Sequence, residues 1–195
     1  MRARCLVFLA AMIGLFATPG APAAVQTVGV VDFYALRTPA SFGGATPTRF
    51  AADGLSRMLA DASGGRFMVV ERATMEQAET QLGWRGDEVL RVARLRALAR
   101  AANADQLVVG WITLLAVSVG GGGSKPPDGG NGPPTALSNL VLQVFDAAQG
   151  RIVSETHESG FAMGASPHLL QEWALHRAMA PAIAPLVATI MSHAP

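Results

Sequence analysis

The chain has 195 residues, half of them apolar and only 15% charged, with 15 Lys and Arg against 14 Asp and Glu. Typical domains carry about 25% charged residues, so a general polyanion binder is disfavoured, nucleic acid included, and the thin surface charge favours self-association as a homo-oligomer. The single cysteine, Cys5, excludes an internal disulfide framework.

Residues 1–23, MRARCLVFLAAMIGLFATPGAPA, place Arg2 and Arg4 before an apolar run and end on Ala-Pro-Ala. That is the pattern of a secretory signal peptide, with cleavage expected before Ala24. The run is short for a retained anchor and is broken by Thr18, Pro19 and Gly20, so no membrane span is expected after cleavage. Cleavage removes Cys5 and moves the net charge from +1 to −1, because Arg2 and Arg4 leave with the leader. Residues 24–195 are expected to form one domain in the periplasm or outside the cell.

The run VQTVGVVDFYAL, 25–36, is valine-rich and short enough for a buried strand. Thr46 followed by Pro47 reads as the start of a helix, with Phe50, Leu55, Met58, Leu59 and Ala62 at helical spacing and Gly64 as its stop. RFMVVER, 66–72, predicts a second strand, and Thr74 with Gln77 fits a capping box that opens another helix. Gly83 and Gly86 interrupt that helix; it resumes from Asp87 with Val92, Leu95, Ala99 and Ala102 as its apolar stripe, and Asn103 ends it.

Residues 105–119 and 135–159 hold three further strands, the last two joined by a tight turn at DAAQG, where Gly150 supplies a positive φ. Ser166 and Pro167 open a last helix that Pro181 should kink or break. The order strand, helix, strand, helix, three strands, helix predicts an α+β fold: a two-layer domain with a mixed sheet of about five strands and helices packed on it.

The stretch GGGGSKPPDGGNGPP, 120–134, is no phosphate cradle, because Ser124 precedes Lys125, Pro126 follows it, and a strand comes next where a phosphate loop needs a helix N-terminus. It reads as a long flexible connection between strands, with Lys125 and Asp128 its only charges. His168, Glu172 and His176 share one helix face and form the sharpest metal-like constellation. At 1.5 Å rise per residue the two histidines stand about 12 Å apart, so an exposed polar face is the plainer reading. His157, between Glu155 and Glu158, and His193 in the tail add no ligand set. Ser138 and Ser154 lack the elbow motif of a serine nucleophile. Asp32, at the end of the first strand, is either a carboxylate facing a cleft or the cap of a turn. Arg91, Arg94, Arg96 and Arg100 flank the apolar stripe in two pairs and can cover its edges with their stems. No cofactor motif occurs.

The series VGVVDF, FMVVER, ANADQLVVGWI and LVLQVFDAAQGRIV resembles the periplasmic fold shared by the curli-export lipoprotein family (CsgG-like) and the N-terminal domain of TolB. Ser138-Asn139-Leu140 and Asp146 to Val153 resemble more closely an uncharacterised family of small exported bacterial proteins (DUF2380/DUF3280-like), from which the insertion at 120–134 departs. The resemblance implies an envelope-located, non-enzymatic accessory module whose partner is another periplasmic or cell-envelope protein. An exposed strand edge or the 120–134 loop would be its docking surface. Two alternatives stand beside it: a metal-dependent enzyme or metal carrier using His168, Glu172 and His176, and a small-ligand binding protein.

Overall fold

The computed structural model describes residues 25–36, 46–118, 133–164 and 166–193. The leader at 1–23 and the loop residues through 132, with Ser124, Lys125 and Asp128, lie outside the described residues, as do the side chains of 89, 90, 167 and 168.

The described residues form an α+β fold built on a six-stranded mixed sheet. Strand β1 (Thr27–Val30) and the two-residue β2 (Tyr34–Ala35) take the place of the single strand expected over 25–36. Both run parallel to β4 (Gln106–Ser118), with Val30 beside Val108 and Tyr34 beside Trp111. Between them the chain leaves the ladder, which lets Phe33 turn into the same core as Val30. Helix α1 (Pro47–Ser63) starts and stops where its signals predict: the Thr46 hydroxyl accepts the Arg49 N–H at 3.3 Å, and Gly64 closes it at φ 56°.

The strand expected over 66–72 is only β3 (Met68–Val69), because its partner β1 offers it just Thr27 and Val28. The capping box at Thr74 and Gln77 does not form. Helix α2 (Arg72–Leu82) begins three residues earlier, with Glu71 in place of Thr74 at its N-cap and no side-chain cap. Its start is fixed instead by Arg72, whose guanidinium is tied to the end of β1, as described below. Gly83 ends α2 in the left-handed region, a short 3-10 turn spans Gly86–Leu90, and α3 (Val92–Ala101) follows. Of the predicted stripe, Leu95, Ala99 and Ala102 are buried while Val92 is exposed at the first turn.

Strands β4, β5 (Thr135–Asp146) and β6 (Arg151–Met163) make a long antiparallel ribbon, with strand order β3-β1-β4-β5-β6 across the sheet. Twelve or thirteen residues at about 3.3 Å each give strands near 40 Å, twice the usual length. Alternation divides the side chains between two faces. Val28, Val30, Val108, Leu140, Leu142 and Val144 meet α1 and the last helix, whereas Val31, Leu107, Val109 and Phe145 meet α2 and α3. Among the described residues the helices of the second face stop short of the ribbon's far end, so that end has two layers where the β1 end has three.

Helix α4 (Pro167–Ser192) starts at Pro167 without a Ser166 side-chain cap and is continuous through Pro181 and Pro185. Pro181 therefore does not break it. The two prolines are spaced i, i+4 on the exposed side, so the carbonyls that lose a donor, those of Arg177 and Pro181, lie on the side of the helix away from the sheet. Among the described residues α4 alone is long and apolar enough to cross a membrane, yet here its face of Leu170, Ala174, Leu175, Ala178, Ala182, Leu186 and Ile190 packs into the core.

Candidate functional site

Two surfaces combine chemistry with position. The first is a charged crevice at the C-terminal ends of β1 and β3. Helix α1 follows β1 on one face of the sheet and α2 follows β3 on the other, so the strand ends open between them, a place where parallel sheets commonly admit ligands. Arg72 sits at its centre. Its Nη1 donates to the Val30 carbonyl at 2.6 Å, its Nε to Asp53 at 2.8 Å, and its Nη2 pairs with Asp32. Arg49 pairs with Glu76 at 2.5 Å and lies 4.0 Å from Asp53. The Asp32 N–H donates to the Glu79 carboxylate at 3.1 Å.

Four carboxylates thus face two guanidinium groups. Burial pushes the Glu79 carboxyl up to about 7 against the hydrogen bond from Asp32 N–H, and the Asp32 charge adds to the rise. Burial also opposes the charge on Arg72, but Asp32, Asp53 and Glu79 outweigh it and hold the guanidinium above its ordinary value. The crevice is occupied by its own ion pairs, so its clearest chemical property is a Glu79 proton exchanging near neutral pH. Asp32, the strand-end carboxylate singled out in the sequence, is here a partner of Arg72.

The second surface is the face of the far ribbon that no other described residue covers. Beyond α2 and α3, Ala116, Leu137 and Phe161 stand side by side across β4, β5 and β6 in direct register. Leu114 and Met163 flank this row, and Phe161 and Met163 are 52% and 56% exposed. On the opposite face the ribbon is held tightly to α4: Ser138 Oγ donates to the Ala174 carbonyl at 2.7 Å, and Ala136, Gly160 and Ala162 are buried beneath the helix. One face of the same three strands is therefore core, and the other is an apolar sheet surface bounded by Asn139 and Ser159, which share a 2.9 Å hydrogen bond.

The residues singled out in the sequence fall in separate places. Glu172 and His176 are on α4, partly buried and exposed respectively, and the His168 side chain is outside the described residues. Among the described residues no three His, Cys, Asp or Glu side chains are grouped to hold a metal. The His157 Nε2–H donates to the Glu155 carboxylate at 2.8 Å on the exposed face of β6. Ser154 lies on β6 beside Val144, far in register from Ser138, which pairs with Gly160.

The four arginines do not act as one set. Arg94 donates to the Leu82 carbonyl and to Glu88 at 2.7 and 2.8 Å and lies 6.0 Å from the Trp84 ring centre, pinning α3 to the end of α2. Arg96 packs over the β5–β6 turn at Gly150, whereas Arg91 and Arg100 are exposed. The ribbon face lies partly beyond the strand region expected over 135–159, because β6 continues to Met163. The alternation Gly160, Phe161, Ala162, Met163, small then large, is the signal that would have extended it.

No family model matches the chain, and no curated protein matches it. Solved structures share its fold. The hypothetical protein CT253 from Chlamydia trachomatis has a TM-score of 0.54 at 11% identity, covering 87% of this chain and all of that one. The lipoprotein GNA1162 from Neisseria meningitidis has a TM-score of 0.51 at 14% identity, covering 84% of this chain and 98% of that one. At such identities the likeness is one of fold: this chain folds as a bacterial lipoprotein and a bacterial hypothetical protein do.

Proposed function

We propose that the protein is an accessory protein of the bacterial cell envelope, without a reaction of its own, that holds a second envelope protein on the ribbon face that the described residues leave exposed. The observation that carries this reading is the cross-strand row Ala116, Leu137 and Phe161 with Leu114 and Met163 beside it. Large apolar side chains in register on a rigid sheet are costly to leave in water and suit a partner that brings an apolar face of its own. The shared fold with a lipoprotein supports the envelope location, as does the export signal read at residues 1–23. The self-pairing of Arg72, Asp32 and Asp53 favours a structural role for the charged crevice over a catalytic one.

A photoreactive side chain placed at position 161 or 137 in the native envelope tests the reading. It should cross-link to one discrete protein, and Met163→Asp in the same chain should abolish the product while leaving the unfolding midpoint unchanged. Cross-linking no stronger from 161 than from position 100 on α3, or indifference to Met163→Asp, would remove the ribbon face as the docking surface.

A further inference from the structure

At the other end of the molecule a pocket of about 590 Å³ lies between the C-terminal end of α4, the starts of β1 and β4, and the β5–β6 turn. That size falls within the range of small-molecule sites. We propose that it binds a small organic cation, a molecule carrying an ammonium or guanidinium group, through Gln26, Gln106, Asp105 and Asp146.

The first support is a pair of buried amides. Gln26 and Gln106 are 4% and 1% exposed and line this pocket. Alternation along β1 and β4 puts both on the α4 side of the sheet, in line with Val28 and Val108. Among the described residues neither the oxygen nor the nitrogen of the Gln26 amide has a hydrogen-bond partner, and the Gln106 oxygen has none. The Gln106 nitrogen reaches the His193 carbonyl at 3.4 Å. Neighbouring positions on this face are valine, so apolar side chains would fill the space; two glutamines left with open hydrogen-bonding capacity point to something polar that meets them.

The second support is the balance of donors and acceptors. Two buried amide oxygens and one amide nitrogen lack a partner among the described residues, and the carboxylates of Asp105 and Asp146 line the same pocket. Asp105 accepts from the Thr27 N–H and hydroxyl, and Asp146 accepts from the Gln149 backbone and side-chain amides at 2.7 and 3.2 Å. These bonds position the carboxylates without neutralising them. Among the described residues no Lys or Arg lines the pocket, and Arg151, opposite Asp146 in the hairpin, directs its Nε to Gln149. The C-terminal end of α4 contributes its negative pole as well. An anion is repelled here. A cation rich in N–H groups can satisfy both amide oxygens and the carboxylates, and any hydroxyl or carbonyl it carries can accept from the Gln26 nitrogen.

Titration of the purified, ¹⁵N-labelled protein with agmatine, with glutarate as the anionic control, tests this directly. Agmatine should produce saturable shifts of the side-chain amide resonances of Gln26 and Gln106, glutarate none. Gln26→Met, which keeps the volume and removes the amide, should weaken agmatine binding at least tenfold while leaving the ligand-free unfolding midpoint level or higher. Non-saturating shifts with agmatine in the wild type, or equal shifts with glutarate, would overturn the proposal and leave the glutamines to bound water alone. The wild-type titration decides the matter even if the variant folds poorly.

Discussion

A methyl group added to Gly160 would lie 1.9 Å from the carbonyl oxygen of Ala174 and 2.5 Å from the amide nitrogen of Ala178, so β6 meets α4 backbone to backbone. No side chain stands between them to move aside. Gly160→Ala must therefore push the helix off the ribbon, at about 3 kcal/mol, the upper end of overpacking effects. Gly164→Ala, whose added methyl meets Leu170 and Trp173 at an ordinary 3.5 Å, should cost far less. Urea unfolding of the two variants checks the contrast. Equal, small losses would show that α4 is not seated as described.

Glu79 links the charged crevice to pH. In the unfolded chain its carboxyl loses its proton near 4.5, in the folded protein near 7. Between those values the folded state holds more protons, so this group makes folding less favourable as pH rises from about 4.5 to 7, with the full penalty present above 7. The shift corresponds to a penalty on the order of 3 kcal/mol. Glu79→Gln retains an oxygen to accept the Asp32 N–H and never ionises. It should raise the unfolding midpoint at pH 8 and leave it nearly unchanged at pH 4.5; an equal effect at both would place the cause outside ionisation.

Arg72 makes the opposite prediction. Replacing it by methionine keeps most of the stem but leaves Asp32 and Asp53 without their shared cation and the Val30 carbonyl without its donor. Loss of one member of a buried pair costs about 3–5 kcal/mol; the Asp32 and Asp53 side chains are 33% and 31% exposed, so about 2 kcal/mol is expected. Because Arg72 also holds Glu79 down, Arg72→Met should move the Glu79 titration to higher pH, which carbon-detected NMR of the carboxyl reads directly.

The parts of the fold legible in the sequence are those with local causes. Thr46-Pro47 and Gly64 bound α1 because capping and left-handed φ act within one turn, and Gly150 closes the β5–β6 hairpin at φ 65° for the same reason. The misplaced boundaries have distant causes. The capping pair at Thr74 and Gln77 is outweighed by Arg72 reaching back across 42 residues to Val30, and β3 is cut short by the length of β1. Of the candidate surfaces, only the charged crevice holds a residue that the sequence singles out, Asp32 at the end of the first strand. The ribbon face depends on where α2 and α3 stop, and the α4-end pocket on side chains 80 residues and more apart in the chain, such as Gln26, Gln106 and His193. The alternation Gly160 to Met163 marks the length of β6 locally, but which of its faces stays exposed, and where the pocket's side chains meet, leaves no local pattern.

Helix α4 gives the last test. Pro181 and Pro185 cannot donate to the carbonyls of Arg177 and Pro181, yet the helix runs unbroken from Pro167 to Ser192 and buries residues on both sides of them, Ala174 and Ala178 before, Leu186 and Ile190 after. Proline inside a helix is about 3 kcal/mol less favourable than alanine, partly offset because it also restricts the unfolded chain by roughly 0.4–1 kcal/mol. Tertiary packing along the sheet holds the helix together across the two missing bonds. Pro181→Ala and Pro185→Ala should each stabilise the protein by about 2 kcal/mol in urea unfolding, with the combined gain falling short of the full sum because the sites are one turn apart. A loss of stability in either variant would mean that the prolines shape α4 to the ribbon's curvature, and that the seat at Gly160 depends on that shape.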